Sequence, residues 1–245
     1  FDPYGRKEFY LNNVSPAGLF PLPYLWSHPY GLIYATNAIL EGIAFSDGVT
    51  DRTREQLEGE AKFVRAFCYF YLVNLFGDVP LHITTDYRVN SIAQRSTEDK
   101  VYEQIISDLL DAEILLPEDY SHANNERIRP NKWTARALLA RVYLYRNDWH
   151  SAEVKATELV DHVALYSLTD DLNSVFLKNS SEAIWQLSPA IPGNNTNEGL
   201  YFILMGNPSL YQAVVMSDQL LNAFEPGDKR KEIWVSSYSE GPDTW

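Results

Sequence analysis

Few residues in this sequence could carry out bond-making chemistry, and their spacing points to recognition. The five histidines, His28, His82, His122, His150 and His162, include no H-x-x-x-H pair and no cysteine partner, so no zinc site is expected. Cys68, the single cysteine, lies inside an apolar run and reads as a small core residue; alone it allows no internal disulfide. There is no G-x-S-x-G elbow, phosphate-binding loop or G-x-G-x-x-G turn. The stretch "DGVTDRTREQLE" sets Asp47, Asp51 and Glu58 at positions one, five and twelve of a calcium loop. Val49, however, stands where an oxygen ligand belongs, and Arg52 replaces the turn glycine. A solvated helix start is the better reading, and no metal or cofactor is expected. Folding could still pair two carboxylates for acid–base work on a glycoside, but spacing does not show such a pair.

Aromatic rings beside amides are the remaining chemistry. A ring can stack on a weakly apolar C–H face while neighbouring amides, carboxylates or guanidinium groups bond to hydroxyls. Two stretches have this make-up. In "PLPYLWSH", Tyr24 and Trp26 lie beside His28; across 189–211, Asn194, Asn195 and Asn197 precede Tyr201, Phe202 and Tyr211. The candidate binding residues are therefore Tyr24, Trp26, Asn194, Asn195, Tyr201 and Tyr211. Packing competes with binding for each ring: Trp26 opens a helix and suits packing, while Tyr201 and Tyr211 suit either role.

The 245 residues can bury a sizeable core, and no apolar stretch reaches the roughly 18 residues of a membrane span. A net charge of −13 argues against nucleic acid, whose phosphates need clustered Lys and Arg. With 16 Tyr, 11 Phe and 6 Trp, the chain has more rings than a core needs, which leaves some for a surface platform. It begins with Phe1 rather than Met and reads as a piece of a longer protein.

Helices must position these residues. The first is expected over "SHPYGLIYATNAILEGI", with Ser27 as N-cap, Pro29 in the first turn, and Tyr30, Ile33, Asn37 and Leu40 on one face. Asn37 on that stripe reads as a buried amide bonding a loop backbone. A second helix starts near Thr53 and ends at Gly77 and Pro80. From Phe63 to Tyr71 it carries five rings in nine positions, broken only by Arg65 before Asn74, and is expected to be buried all round, Phe67 included. A third covers about 97–116, capped by Ser96 with Asp99, with a stripe of Val101, Ile105, Leu109, Ala112 and Leu116. Lys132–Arg146 and Trp149–Asp161 form an antiparallel hairpin through Asn147 and Asp148. Ala140, Tyr143, Ala152 and Ala156 match the contact positions of a tetratricopeptide repeat, and Trp133 joins them. Beyond it, "SEAIWQL" reads as a short strand, 189–211 as a long loop, and Asp218–Phe224 as a helix. The fold expected is mainly α: irregular tetratricopeptide-like helical repeats with long loops and a few short strands.

"GEAKFVRAFCYFYLVNLFGDVPL" resembles the central signature of the SusD/RagB family of nutrient-binding surface lipoproteins of Bacteroidetes. "LWSHPYGLIYATNAILEGI", "RSTEDKVYEQIISDLLDAEILLP", "KWTARALLARVYLYRNDWHSAEVKATELVD", "NSSEAIWQL" and "LLNAFEPGDKRKE" resemble its other segments, in order, over about 26–233. The family's lipidated N-terminal segment and its C-terminal portion have no counterpart here, so 1–245 is expected to be one partial SusD-like helical domain. The resemblance implies a protein without catalysis on the extracellular face of the outer membrane, held by a lipid anchor absent from this chain. It would capture an oligosaccharide and pass it to a SusC-like TonB-dependent transporter. Peptide cargo in the same fold, or a helical scaffold for a protein partner, are the alternatives. The resemblance also implies ligand-holding aromatics in loops flanking the two candidate stretches.

Overall fold

The computed structural model describes residues 8, 11–15, 22–189, 191, 193, 194, 196–204, 206–208 and 214–244. The chain divides into two compact units: 1–125 with 129–162, and 126–128 with 163–245. Helices dominate the first unit. They are α1 (Leu22–Ala44), α2 (Asp51–Phe76), the short α3 (Tyr87–Asn90), α4 (Glu98–Leu115), α5 (Lys132–Tyr145) and α6 (Trp149–Val160). Apart from α3, each helix packs on the next: α1 on α2, α2 on α4, α4 on α5 and α5 on α6. Such serial stacking is the logic of helical repeats, in which no pair of helices can bury its apolar face alone.

The apolar spacing explains the core. Val101, Ile105, Leu109, Ala112 and Leu116 of the α4 stripe are all buried, as are Phe63, Ala66, Tyr69, Leu72 and Val73 of α2, on which α4 packs. The two helices approach closely at Gly59, where a Cβ would lie 2.9 Å from Leu116 Cγ and 3.2 Å from Leu115 Cβ. Thr50 caps α2 by accepting from the Thr53 amide at 3.3 Å, and Gly77 ends it at φ +67°. Asn131 and Thr134 form a capping box at the start of α5. Trp133 is buried between the His162 ring, stacked 4.0 Å away, and the Arg136 guanidinium, 4.7 Å from its centroid.

Polar side chains tie these helices together from inside. Arg65 of α2 forks onto Asp108 of α4, with Nη2 donating at 2.7 Å and Nε at 2.8 Å, and its Nη1 donates to Asn37 Oδ1 of α1 at 2.8 Å. Asn37 Nδ2 in turn donates to the carbonyls of His82 (2.9 Å) and Thr84 (3.3 Å), so this residue is the buried amide that the sequence indicates. Tyr69 Oη accepts from the His82 amide at 2.7 Å, Tyr30 Oη donates to Pro80 O at 2.8 Å, and Glu41 accepts from Thr84 and Thr85. The segment after α2 is therefore held by side chains. Its only ladder is the two-residue pairing of β1 (Val79–Pro80) with β2 (Arg95–Ser96).

Several expectations are corrected. Helix α1 begins at Leu22, so Ser27 is no N-cap and Pro29 lies inside the helix; packing of Trp26 on Phe76 and Tyr30 holds the extra turn in place despite the missing proline N–H. Thr97, not Ser96, caps α4. The aromatic run is not buried all round: Tyr71 and Leu75 are 42% and 53% exposed and Phe67 is half-buried, because α1, α4 and α5 leave that side of α2 uncovered. Of the repeat positions, Ala152 is buried and Ala140 and Tyr143 half-buried. Ala156 is exposed, since α6 is the last helix of its unit.

In the second unit the elements are short: α7 (Asn197–Phe202), α8 (Asp218–Asn222), α9 (Lys229–Trp234), and a hairpin of β3 (Ser239–Glu240) with β4 (Asp243–Thr244). The expected strand at "SEAIWQL" is not formed. Its main-chain bonds are isolated, among them Gln186 N to Arg127 O at 2.7 Å and Ser167 N to Ser181 O at 3.2 Å, and Trp185 Nε1 donates to Ile128 O at 3.1 Å. The long loop expected over 189–211 contains α7, which Thr196 caps through the Gly199 amide at 3.3 Å. The Asp228-x-Arg230 pattern is local: Asp228 caps α9 and pairs with Arg230 at 2.6 Å.

Candidate ligand-binding site

The first candidate stretch lies within α1, in the first unit. Residues two apart on a helix point to different sides, so Tyr24 and Trp26 do not form one platform. Tyr24 is 48% exposed and meets the His28 ring edge-on at 5.0 Å. Trp26 is engaged in packing, edge-on to Phe76 and tilted against Tyr30, both at 5.1 Å, with the Arg95 guanidinium 5.4 Å from its centroid. A ring clamped in this way can still offer an edge, and Tyr24 is the more exposed ring of the two.

The second stretch belongs to the second unit. Asn194 is exposed, and its main-chain N–H donates to Ile191 O at 3.2 Å. Tyr201 and Phe202, on α7, are 44% and 69% exposed, and Ile203 after them is exposed too. Asn195 and Tyr211 lie outside the described residues. The end of a short helix thus carries two exposed rings, consecutive in sequence and on different sides of it, with an exposed side-chain amide earlier on the same stretch. This is the combination of apolar face and polar partners that a polyhydroxylated ligand needs.

The charged side chains near the core are committed to one another. Asp108 accepts from Arg65 and Gln104, while Glu113 accepts from Arg136 and Lys155. Burial alone would raise the Glu113 pKa, but the Lys155 and Arg136 hydrogen bonds hold it below the usual carboxylate value. Burial pushes the Cys68 thiol up to about 12, which keeps it protonated and unreactive. Among the described residues, Asp47, Asp51 and Glu58 with them, no three His, Cys, Asp or Glu side chains gather as metal ligands. A recess of about 160 Å³ lies between Arg52, Glu55, Gln56, Leu115, Pro117 and His122. No Phe, Tyr or Trp lines it, and it is smaller than the roughly 300 Å³ at which ligand pockets begin.

Exposed rings also fall outside the candidate stretches, among them Tyr34, Phe45, Tyr87, Trp149 and Phe176. Tyr87 heads α3, whose Asp86 cap is held by Arg88, and Trp149 opens α6. Capping residues before them are visible in the sequence, but exposure is not. Trp234 is held by its Nε1–H bond to Leu172 O at 2.8 Å and by the Phe176 ring at 4.9 Å, and Tyr238 bonds to Glu240. The contribution of Arg127 to the second unit also has no sequence signal; its role is visible only through the distant residues it joins.

Residues 13–144 match a SusD-like family described as starch-binding and associating with the outer membrane. SusD-like protein P25 of Formosa agariphila is 30% identical over 169 residues, which are 66% of this chain and 31% of that protein. Among solved structures, a SusD superfamily protein from Parabacteroides distasonis superimposes with a TM-score of 0.78 at 26% identity, over 91% of this chain and 50% of that one. A laminarin-binding SusD-like protein gives a TM-score of 0.63 at 27% identity, over 70% and 37% of the respective chains. The chain spans about a third of the length of the P25 relative and half that of the Parabacteroides structure.

Proposed function

The chain belongs to the SusD-like family, and from that premise we propose that the whole protein is a non-catalytic binding protein that captures an oligosaccharide at the outer-membrane surface. The observation that carries the reading is the pair of exposed rings Tyr201 and Phe202 with the exposed Asn194 amide on the same stretch. A sugar ring offers C–H faces to the aromatics and hydroxyls to the amide. The starch-binding description of the family and the laminarin-binding relative favour a glucan. Asn195 and Tyr211 belong to the proposed site by their place in the sequence, and Tyr24 and Trp26 are a second contact region on α1.

Binding needs no bond cleavage, and the buried carboxylates are already occupied by basic partners. The cargo passes to a SusC-like TonB-dependent transporter, and a lipid anchor holds the full protein on the extracellular face; both points rest on the family resemblance. Calorimetry of the full-length protein against starch-derived and laminarin-derived oligosaccharides and a peptide panel tests the reading. Saturable glycan binding that falls at least about tenfold in Tyr201→Ala, with no product on long incubation, is the expected result. Released product would overturn the absence of catalysis, and binding to peptides alone would overturn the carbohydrate reading. Co-purification with the transporter from membranes tests the hand-over.

A further inference from the structure

We infer that Arg127 is a positioning residue for the ligand stretch, acting through the run Ala183–Gln186 from which that stretch leaves; the inference rests on the carbohydrate reading above. Between Val163 and Gln186 the chain has one 3₁₀ turn, Leu172–Ser174, and neither helix nor strand. Local turns and a bond from Ser167 N to Ser181 O at 3.2 Å pair part of its backbone, and the carbonyls of Leu165 and Ala183 are paired from outside the segment. Arg127 pairs both carbonyls, one near each end of the segment. Its Nη2 donates to Leu165 O at 2.7 Å and its Nη1 to Ala183 O at 2.5 Å, so one planar fork joins carbonyls that are distant in sequence. Its guanidinium lies 5.2 Å from the centroid of the buried Tyr166 ring. Its amide donates to Asn179 Oδ1 at 2.9 Å, and its carbonyl accepts from Gln186 N at 2.7 Å. Residues Leu165, Tyr166, Asn179, Ala183 and Gln186 therefore converge on a single side chain and its own peptide groups.

Neighbours reinforce the arrangement. Gln186 closes back on the same segment, its Oε1 accepting from Asn179 N at 2.7 Å and its Nε2 donating to Leu177 O at 3.0 Å. Gln186 stands just before the 189–211 stretch that carries Asn194 and Tyr201. In a segment without a ladder, the direction in which the chain leaves Gln186 is set by these side-chain bonds. Loss of the fork lets the base of the stretch sample other conformations, and apparent affinity falls with the fraction that remains competent. Lysine cannot replace this role, because an ammonium lacks the planar fork that reaches two carbonyls at once.

The test compares full-length wild type, Arg127→Gln, Arg127→Lys and Tyr201→Ala by hydrogen exchange and by calorimetry with the same glucan oligosaccharides. Arg127→Gln should lose protection over 163–187, keep wild-type exchange over 51–76 and 98–115, and bind glycan at least about tenfold more weakly. Arg127→Lys should behave like Arg127→Gln, whereas a role of charge alone would be rescued. Tyr201→Ala should lose binding with exchange over 163–187 unchanged. Retained protection in Arg127→Gln, or lost protection with affinity within about twofold of wild type, would overturn the positioning role. A wild type that binds no glycan would overturn the carbohydrate reading instead, with the exchange comparison still deciding whether Arg127 fixes the run. Should Arg127→Gln not fold, Asn179→Gly removes only the acceptor of the Arg127 amide and tolerates the local φ of +61°; it is judged by the same two readouts.

Discussion

Arg65 shows how little a residue's type says about its role. In the sequence it interrupts an aromatic run; in the fold it is the buried link among α1, α2 and α4, bonded to Asn37 and Asp108. Arg65→Ala would leave the Asp108 carboxylate, 2% exposed, without its charge partner. A loss of about 3–5 kcal/mol in urea unfolding is expected. Replacing both partners by apolar residues of similar size should recover most of that loss, since the desolvation cost of the pair disappears with it. Glu113 gives a pH dependence of definite sign. Its folded pKa lies below the ordinary value of 4.5, so its contribution is present above that value and is lost as pH falls through it toward the folded pKa. Stability measured between about pH 5 and 3 should fall less steeply in Glu113→Gln than in wild type, once the constant loss from the removed charge is subtracted. An equal slope in the two proteins would count against this.

At the scale of elements, spacing is informative and surroundings decide the rest. The α4 stripe is legible because its residues repeat every three or four positions and every one is buried. In α2 the same reasoning overreaches, because a run of rings does not reveal which side its neighbours leave open. Phe63→Ala, at a site 1% exposed, should cost about 3–5 kcal/mol, and Phe67→Ala, half-buried beside exposed Tyr71, clearly less. Equal losses in chemical unfolding would overturn that distinction. Gly59→Ala pits a gain of about 1 kcal/mol in helix propensity against an approach of 2.9 Å to Leu116 Cγ, the branch point of its side chain. Overpacking costs about 1–3 kcal/mol, so the variant should be less stable, and Leu116→Ala in the same chain should relieve the conflict. The N-terminal turn of α1 was illegible for a related reason: proline at position 29 reads as a helix start, and only the contacts of Trp26 reveal an extra turn before it.

Across the whole molecule, the two candidate stretches differ in how the fold presents them. Tyr24 and Trp26 leave α1 on different sides and Trp26 is held by packing, whereas Tyr201 and Phe202 at the end of α7 are both exposed. Glycan affinity should therefore drop more in Tyr201→Ala than in Trp26→Phe, which keeps most of the packing on Phe76; calorimetry with one oligosaccharide ranks the two. The reverse order would move the site toward α1. By itself the sequence determined the helical-repeat class, the family, the α4 stripe and the buried Asn37 amide, because periodicity and local motifs follow from backbone geometry that neighbouring residues share. Only the tertiary structure decided which side of α2 stays open, how Arg65 is satisfied, and that Arg127 gathers the chain around Ala183 and Gln186. Exposure and long-range hydrogen bonds depend on partners tens of residues away, and no local pattern encodes which partner arrives.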